Sequence, residues 1–232
     1  MKEKVLILSY SLVLTPFLSR EAFMNCFESD IRRAVCSVGF AIGLIAQIII
    51  LFAFKDTSIL YTISVPLVCT LPFSCGFLDE YKNGYVKFSL SRSSYPAYII
   101  SKFMAAGISG GILEVLAFWV YMRFKSGAEQ PQTNYILIFL SAMLWASAAI
   151  LFAAVSKSRY LAYGGSFVIY YFMIILYERY WKTLYCLNPT EWYNPSHAWI
   201  FGDTGIILLL GSIILILFLI YYQVIRGLLA NA

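Results

Sequence analysis

The side chains able to carry bond chemistry are few in this 232-residue chain. There is one histidine, His197. A zinc site, a Ser–His–Asp relay or a histidine proton chain would need more partners than it has, so His197 reads as a hydrogen-bonding group at an interface. Neither HExxH nor GxxxxGKS/T occurs, which argues against an intramembrane protease and against an ATPase carried on this chain. The five cysteines are an odd number, and Cys26, Cys36, Cys69 and Cys75 fall in or beside apolar runs. Cys69 and Cys75 are not at metal-ligand spacing and no histidine is near. No disulfide framework or metal site is implied, and the cysteines read as small buried hydrophobes. Glu114 is the only acidic residue well inside a long apolar run. An ionisable group there costs about 2.5–3.5 kcal/mol unless it faces protein or water. It is either a cavity residue that meets a cationic part of a substrate or relays a proton, or a protonated carboxyl bonded to a neighbouring helix.

The densest polar constellation is residues 79–102, DEYKNGYVKFSLSRSSYPAYIISK, lying between two long apolar runs. It carries Lys82, Lys87, Arg92 and Lys102 against Asp79 and Glu80. Such a loop is suited to touching a soluble partner; alternatively it is a solvated basic segment that anchors topology.

The elements that must position these residues follow from composition. Apolar residues make up 61%, aromatics 18% and charged residues only 12%, with a mean hydropathy of +0.76. Those values place the chain among polytopic membrane proteins rather than soluble domains. A helix needs roughly 20 apolar residues to cross a bilayer core about 30 Å thick. On that length scale six all-α spans are expected, at about 34–54, 58–78, 103–122, 135–156, 160–177 and 204–225, all in one transmembrane domain over residues 1–232. Pro66 and Pro72 lie inside the second run and predict a bent helix. Residues 17–33 are too polar to span: Phe23, Phe27 and Ile31 recur every four residues, with Met24 beside them, against Arg20, Asn25, Glu28, Arg32 and Arg33. That pattern predicts an amphipathic helix in the membrane interface. Between the fifth and sixth runs, residues 178–203 hold Trp181, Trp192 and Trp199 and two Asn-Pro pairs. Short helices dipping into a headgroup layer are expected there.

Lys and Arg set the orientation. With the N-terminus inside, that side holds Lys2, Lys4, Arg20, Arg32, Arg33, the four basic residues of the central loop, Lys157, Arg159 and Arg226, against Lys55, Arg123, Lys125, Arg179 and Lys182 outside. Both termini are therefore expected to be cytoplasmic. Glycines at close spacing, Gly39 with Gly43, Gly107 with Gly111, and Gly164-Gly165, mark faces where backbones can approach. The first and fifth spans are thereby offered as surfaces for self-association.

In the central loop Glu80 and Gly84 stand four apart, followed by Ser91-Arg92-Ser93-Ser94, Tyr95, Tyr98 and Lys102. This order, with an interfacial N-terminal helix, six spans and a proline- and aromatic-containing outer connection, resembles the permeases of type-two ABC exporters. The resemblance extends over the whole chain, but this chain has no large external domain. It implies a half-transporter of a bacterial cytoplasmic membrane that pairs with a second permease copy, itself or a sister chain, and rests on separate ATPase subunits. Those partners would bind ATP and Mg; this chain would hold no cofactor, catalyse nothing and bind no nucleic acid. The loop would act as a coupling helix, with Glu80, Lys82, Gly84 and Arg92 as contact or turn residues. Gly39, Gly43, Gly164 and Gly165 would lie at the dimer interface. Glu114, Tyr170 and Tyr171, with neighbouring aromatics, outline a substrate cavity poor in fixed charge, leaning to an amphipathic peptide; equally, those rings face lipid. Two rivals remain: a proton-coupled carrier working through Glu114, and a membrane anchor for a soluble partner that transports nothing.

Overall fold

The computed structural model describes residues 23–54, 59–125, 134–193, 195, 197–199 and 201–230. Among them the chain is helical and without strands. In order the elements are α1 (Phe23–Val35), α2 (Val38–Phe54), α3 (Ile59–Val68), α4 (Gly76–Lys82), α5 (Val86–Arg92), α6 (Tyr95–Phe124), α7 (Tyr135–Ser156), α8 (Arg159–Arg179) and α9 (Asp203–Ala230). Two 3-10 turns, Tyr185–Leu187 and Pro189–Trp192, connect α8 to α9. Among the described residues four helices, α6 to α9, are long and apolar enough to cross a membrane, and α1 with α2 forms a fifth if that pair, bent by 50°, is one span. The chain thus has the helices of a membrane protein. Residues 17–22 of the expected interfacial helix lie outside the described residues.

The expected second span is not a continuous bent helix. α3 stops at Val68 and α4 begins at Gly76. Pro72 has no amide proton for the Val68 carbonyl and disfavours helix at the residue before it. The Val68 carbonyl accepts instead from the Leu71 amide, 3.2 Å away. Backbone freed in this way must find partners inside the protein if it lies at membrane depth. Here side chains supply them: Thr70 Oγ1 donates to the Leu67 carbonyl at 2.7 Å, and Ser37 Oγ to the Pro72 carbonyl at 3.2 Å. Cys69, Thr70 and Ser74 are buried. The proline signal was readable; that it ends the helix was decided by these hydroxyls.

α2 crosses this break in close contact. A Cβ on Gly39 would run into the Leu71 carbonyl oxygen, and one on Gly43 would stand 2.9 Å from Leu113 of α6. A backbone oxygen cannot swing aside, so Gly39→Val is expected to destabilise the fold by about 1–3 kcal/mol or more, the cost of overpacking. Unfolding by denaturing detergent would measure it. An unchanged midpoint would mean that the break is loose.

α7 is the most enclosed of the long helices, and α8 and α9 the least. Ala142, Ala146, Ala149 and Ala153 are all buried on it, and spacing of three and four residues puts them along its neighbours' contact faces. Against α7 lie the glycines of α6, where a Cβ on Gly107 would meet Met143 at 3.0 Å and one on Gly110 would meet Ala146 at 2.7 Å. The third span also begins earlier than expected, at Tyr95, with Ser94 at its N-cap and Pro96 in the first turn. Proline is tolerated there because those amides have no helical acceptor. The end of the polar loop, through Lys102, is therefore the first turns of α6.

A buried ion cluster behind the central loop

Asp79 and Glu80 are neighbours on α4, so they leave its axis about 100° apart. Each reaches a different helix. Asp79 Oδ1 accepts from Arg159 at the start of α8, with Nη2 at 2.7 Å and Nε at 3.1 Å. Next to this pair Lys157 Nζ sits 5.4 Å from the centre of the Tyr81 ring. Glu80 turns inward instead. Its Oε1 lies 2.6 Å from Lys102 Nζ of α6 and 2.6 Å from Arg33 Nη1 of α1, and its Oε2 accepts from the Tyr98 hydroxyl at 2.8 Å.

Lys102 has a second carboxylate. Its Nζ is 2.6 Å from Asp30 Oδ1 of α1, and Asp30 Oδ2 accepts a hydrogen bond from Ser101. The ammonium also lies over the rings of Phe73 and Tyr98, at 5.4 and 5.3 Å. Asp30 and Lys102 are each 2% exposed and Glu80 is 6% exposed, whereas Arg33 reaches solvent. Two carboxylates and two cations balance. Buried charges are tolerated only when paired and hydrogen-bonded like this. Burial pushes the Glu80 carboxyl up, but Lys102, together with Arg33 and Tyr98, outweighs it and holds the group below its ordinary value of 4.5.

The cluster fastens α4 to α1 and α6, and Asp79 fastens it to α8. The Glu80 carboxylate is thus buried and engaged within the chain. Gly84 does make the turn: its φ of +71° is a backbone conformation that glycine adopts without strain. Lys82 is exposed beside it. Arg92 ends α5, and its side chain lies outside the described residues. What the loop presents outward, besides Lys82 and Lys87, is Tyr85 at 59% and Phe88 at 70% exposure. Asp30 was not anticipated. Its signal was its position, seven residues after Phe23 and three after Phe27, which puts a carboxylate on the apolar stripe of α1, where it needs a buried cation.

The glycines offered for self-association behave differently from one another. Gly39 and Gly43 meet α3's break and α6, and a Cβ on Gly165 would stand 2.8 Å from Phe152, whereas Gly164 faces open space. The close approaches of the first three are thus made within the chain.

In the bundle interior Glu114 is fully buried, and neither of its oxygens has a hydrogen-bond partner. Gln47 of α2 is also fully buried; its Nε2 has no hydrogen-bond partner, while its Oε1 accepts from Ser64 at 3.0 Å. Tyr170 is buried with its ring 5.5 Å from Trp145. Tyr171, by contrast, is 53% exposed and stacks on Phe167, so it does not join Glu114. Part of the α8–α9 connection packs into the bundle. Trp192, 1% exposed, stacks on Trp145 at 5.8 Å and donates from Nε1 to the Cys186 carbonyl at 3.1 Å. Tyr193 lies edge-on to Tyr61 at 6.4 Å. His197 pairs with the buried Glu191, Nδ1 to Oε1 at 3.0 Å, and stacks on Tyr185. No cluster of three or more His, Cys, Asp or Glu able to hold a metal occurs among the described residues.

No family model matches the chain, and no curated protein or solved structure matches it either.

Proposed function

We propose that the chain is the membrane permease subunit of an ATP-driven exporter, moving an amphipathic substrate, with peptides the favoured class, out of a bacterial cytoplasm. The observation that supports this reading is the fastening of the α4–α5 loop. A force applied to a floppy loop is lost, but α4 is tied by Glu80 to α1 and α6 and by Asp79 to α8. A push on the exposed Tyr85–Phe88 surface would therefore move three helices together, which is what alternating access requires. ATP and Mg would belong to the separate ATPase, a second permease copy would complete the pathway, and both termini would be cytoplasmic.

The test is affinity purification of the full chain in mild detergent beside a Tyr85→Ser/Phe88→Ser variant, with mass spectrometry of what co-purifies. A stoichiometric ATPase is expected with the native chain and at least about tenfold less with the variant, since exposed aromatics dominate such contacts. Equal recovery would remove the loop from coupling. Recovery of the chain without any ATPase would favour the second reading, a proton-coupled carrier, which the unpaired buried carboxyl of Glu114 supports.

A further inference from the structure

The bundle interior holds more unpaired polarity than its packing needs. Glu114 offers two unpartnered oxygens, Gln47 an unpartnered Nε2 and Tyr193 an unpartnered hydroxyl, and all three side chains are more than nine-tenths buried. They come from α6, α2 and the α8–α9 connection, so no local turn geometry accounts for their meeting. Tyr61 links the three: its ring lies 6.5 Å from Phe118, one turn beyond Glu114 on α6, and 6.4 Å from Tyr193, and Ser64, which donates to the Tyr61 carbonyl at 2.7 Å, also donates to Gln47 Oε1 at 3.0 Å. Orphaned buried polar groups are uncommon in native proteins and call for an explanation.

Among the described residues no cation is placed against Glu114. Lys102, on the same helix, is roughly 18 Å away at 1.5 Å per residue, and both Asp30 and Glu80 already engage it. Instead the surroundings are aromatic: Tyr193 is packed on Tyr61, and Tyr170 on Trp145. Ring faces attract cations, more strongly when water is excluded. A carboxylate among rings, with an amide to steady its second oxygen, complements a lipophilic cation. It would repel an anion of the same shape.

We propose that Glu114, Gln47 and Tyr193 form an occluded site for the cationic group of an aromatic or long-chain substrate, covered on one side by the wedge of Trp192 and Tyr193. This deepens the exporter reading and rests on it, since the site is useful only along a transport pathway. Tyr193 is both a wall of the site and part of the wedge. Withdrawal of the α8–α9 connection would therefore expose the carboxylate and remove one of its neighbours in a single movement, weakening the hold as the path opens.

The test uses the purified full chain in lipid nanodiscs, without ATP or ATPase. Its failure would leave the ATPase partnership standing, and loss of the ATPase would leave this binding unchanged. Radiolabelled tetraphenylphosphonium is the probe, with tetraphenylborate as an anion of matched shape. Saturable binding of the cation alone is expected. Glu114→Gln should weaken it by at least about tenfold, equivalent to about 1.4 kcal/mol, and Tyr193→Phe, which removes only a hydroxyl, by a smaller factor. Tyr193→Phe keeps the test decisive if Glu114→Gln does not fold. Equal binding by native chain and both variants, matched binding of the borate, or no saturable binding of the cation would each overturn the proposal.

Discussion

Lys102→Ala is expected to cost about 3–5 kcal/mol of stability, because it strands two buried carboxylates whose shared counter-ion is gone. Asp30 and Glu80 lie on different helices and approach one another only through the ammonium, which is 2.6 Å from each. Without it they repel at short range in a site where water cannot screen them. Arg33 still touches Glu80, but it is half in solvent and stands 4.0 Å from Asp30. A triple variant, Asp30→Asn, Glu80→Gln and Lys102→Met, should recover much of the loss, since removing a whole buried ion cluster is far less costly than breaking it. If the triple variant unfolded as readily as Lys102→Ala, lost packing rather than stranded charge would be the cause.

The same cluster fixes the sign of an acid effect. The folded Glu80 carboxyl titrates below its ordinary value of 4.5. Its contribution is therefore complete above that value and is lost as pH falls through the lower folded one. Unfolding midpoints in detergent should fall along that limb in the native chain and less so in the triple variant.

Trp192→Ala is expected to cost a similar amount, about 3–5 kcal/mol, as for other buried large aromatics cut to alanine. Its ring is 1% exposed and stacked on Trp145, and its Nε1 donates to the Cys186 carbonyl. Trp192→Phe keeps most of the ring and gives up the hydrogen bond, so a loss of about 0.5–1.5 kcal/mol is expected. A cost below about 1 kcal/mol for the alanine variant would show that the α8–α9 connection does not wedge into the bundle. The consequence would reach function, because the proposed cation site would then lack its cover.

The candidate site was partly legible. Glu80 and Lys102 were singled out because the order of residues in the central loop resembles that of the exporter permeases. Their partnership was not legible, since it joins residues 22 apart through α4 and α6, and the second carboxylate, Asp30, is 72 residues from Lys102. Gly84 was named on the same resemblance, as a contact or turn residue. Glu114 stood out because a carboxyl in an apolar run has no local reason to be there. The groups converging on it could not be read, because Gln47 and Tyr193 are each unremarkable in their own segments.

What local sequence controls here is whether a segment is a helix and whether that helix suits a membrane. Backbone hydrogen bonds in a span are made within the segment, so the uncharged run of α7 yields a helix with the bounds that its composition implies, Tyr135–Ser156. Tertiary packing decided the rest. The break after Val68 persists because Thr70 and Ser37 satisfy its carbonyls. Gly39 serves the inside of the fold because α2 happens to cross that break. Glu80 became a clamp because two helices, α1 and α6, deliver Arg33, Tyr98 and Lys102 to one carboxylate. A lone residue type fixes what charge or bulk is available; which partner neutralises or accommodates it depends on distances that only the folded chain sets.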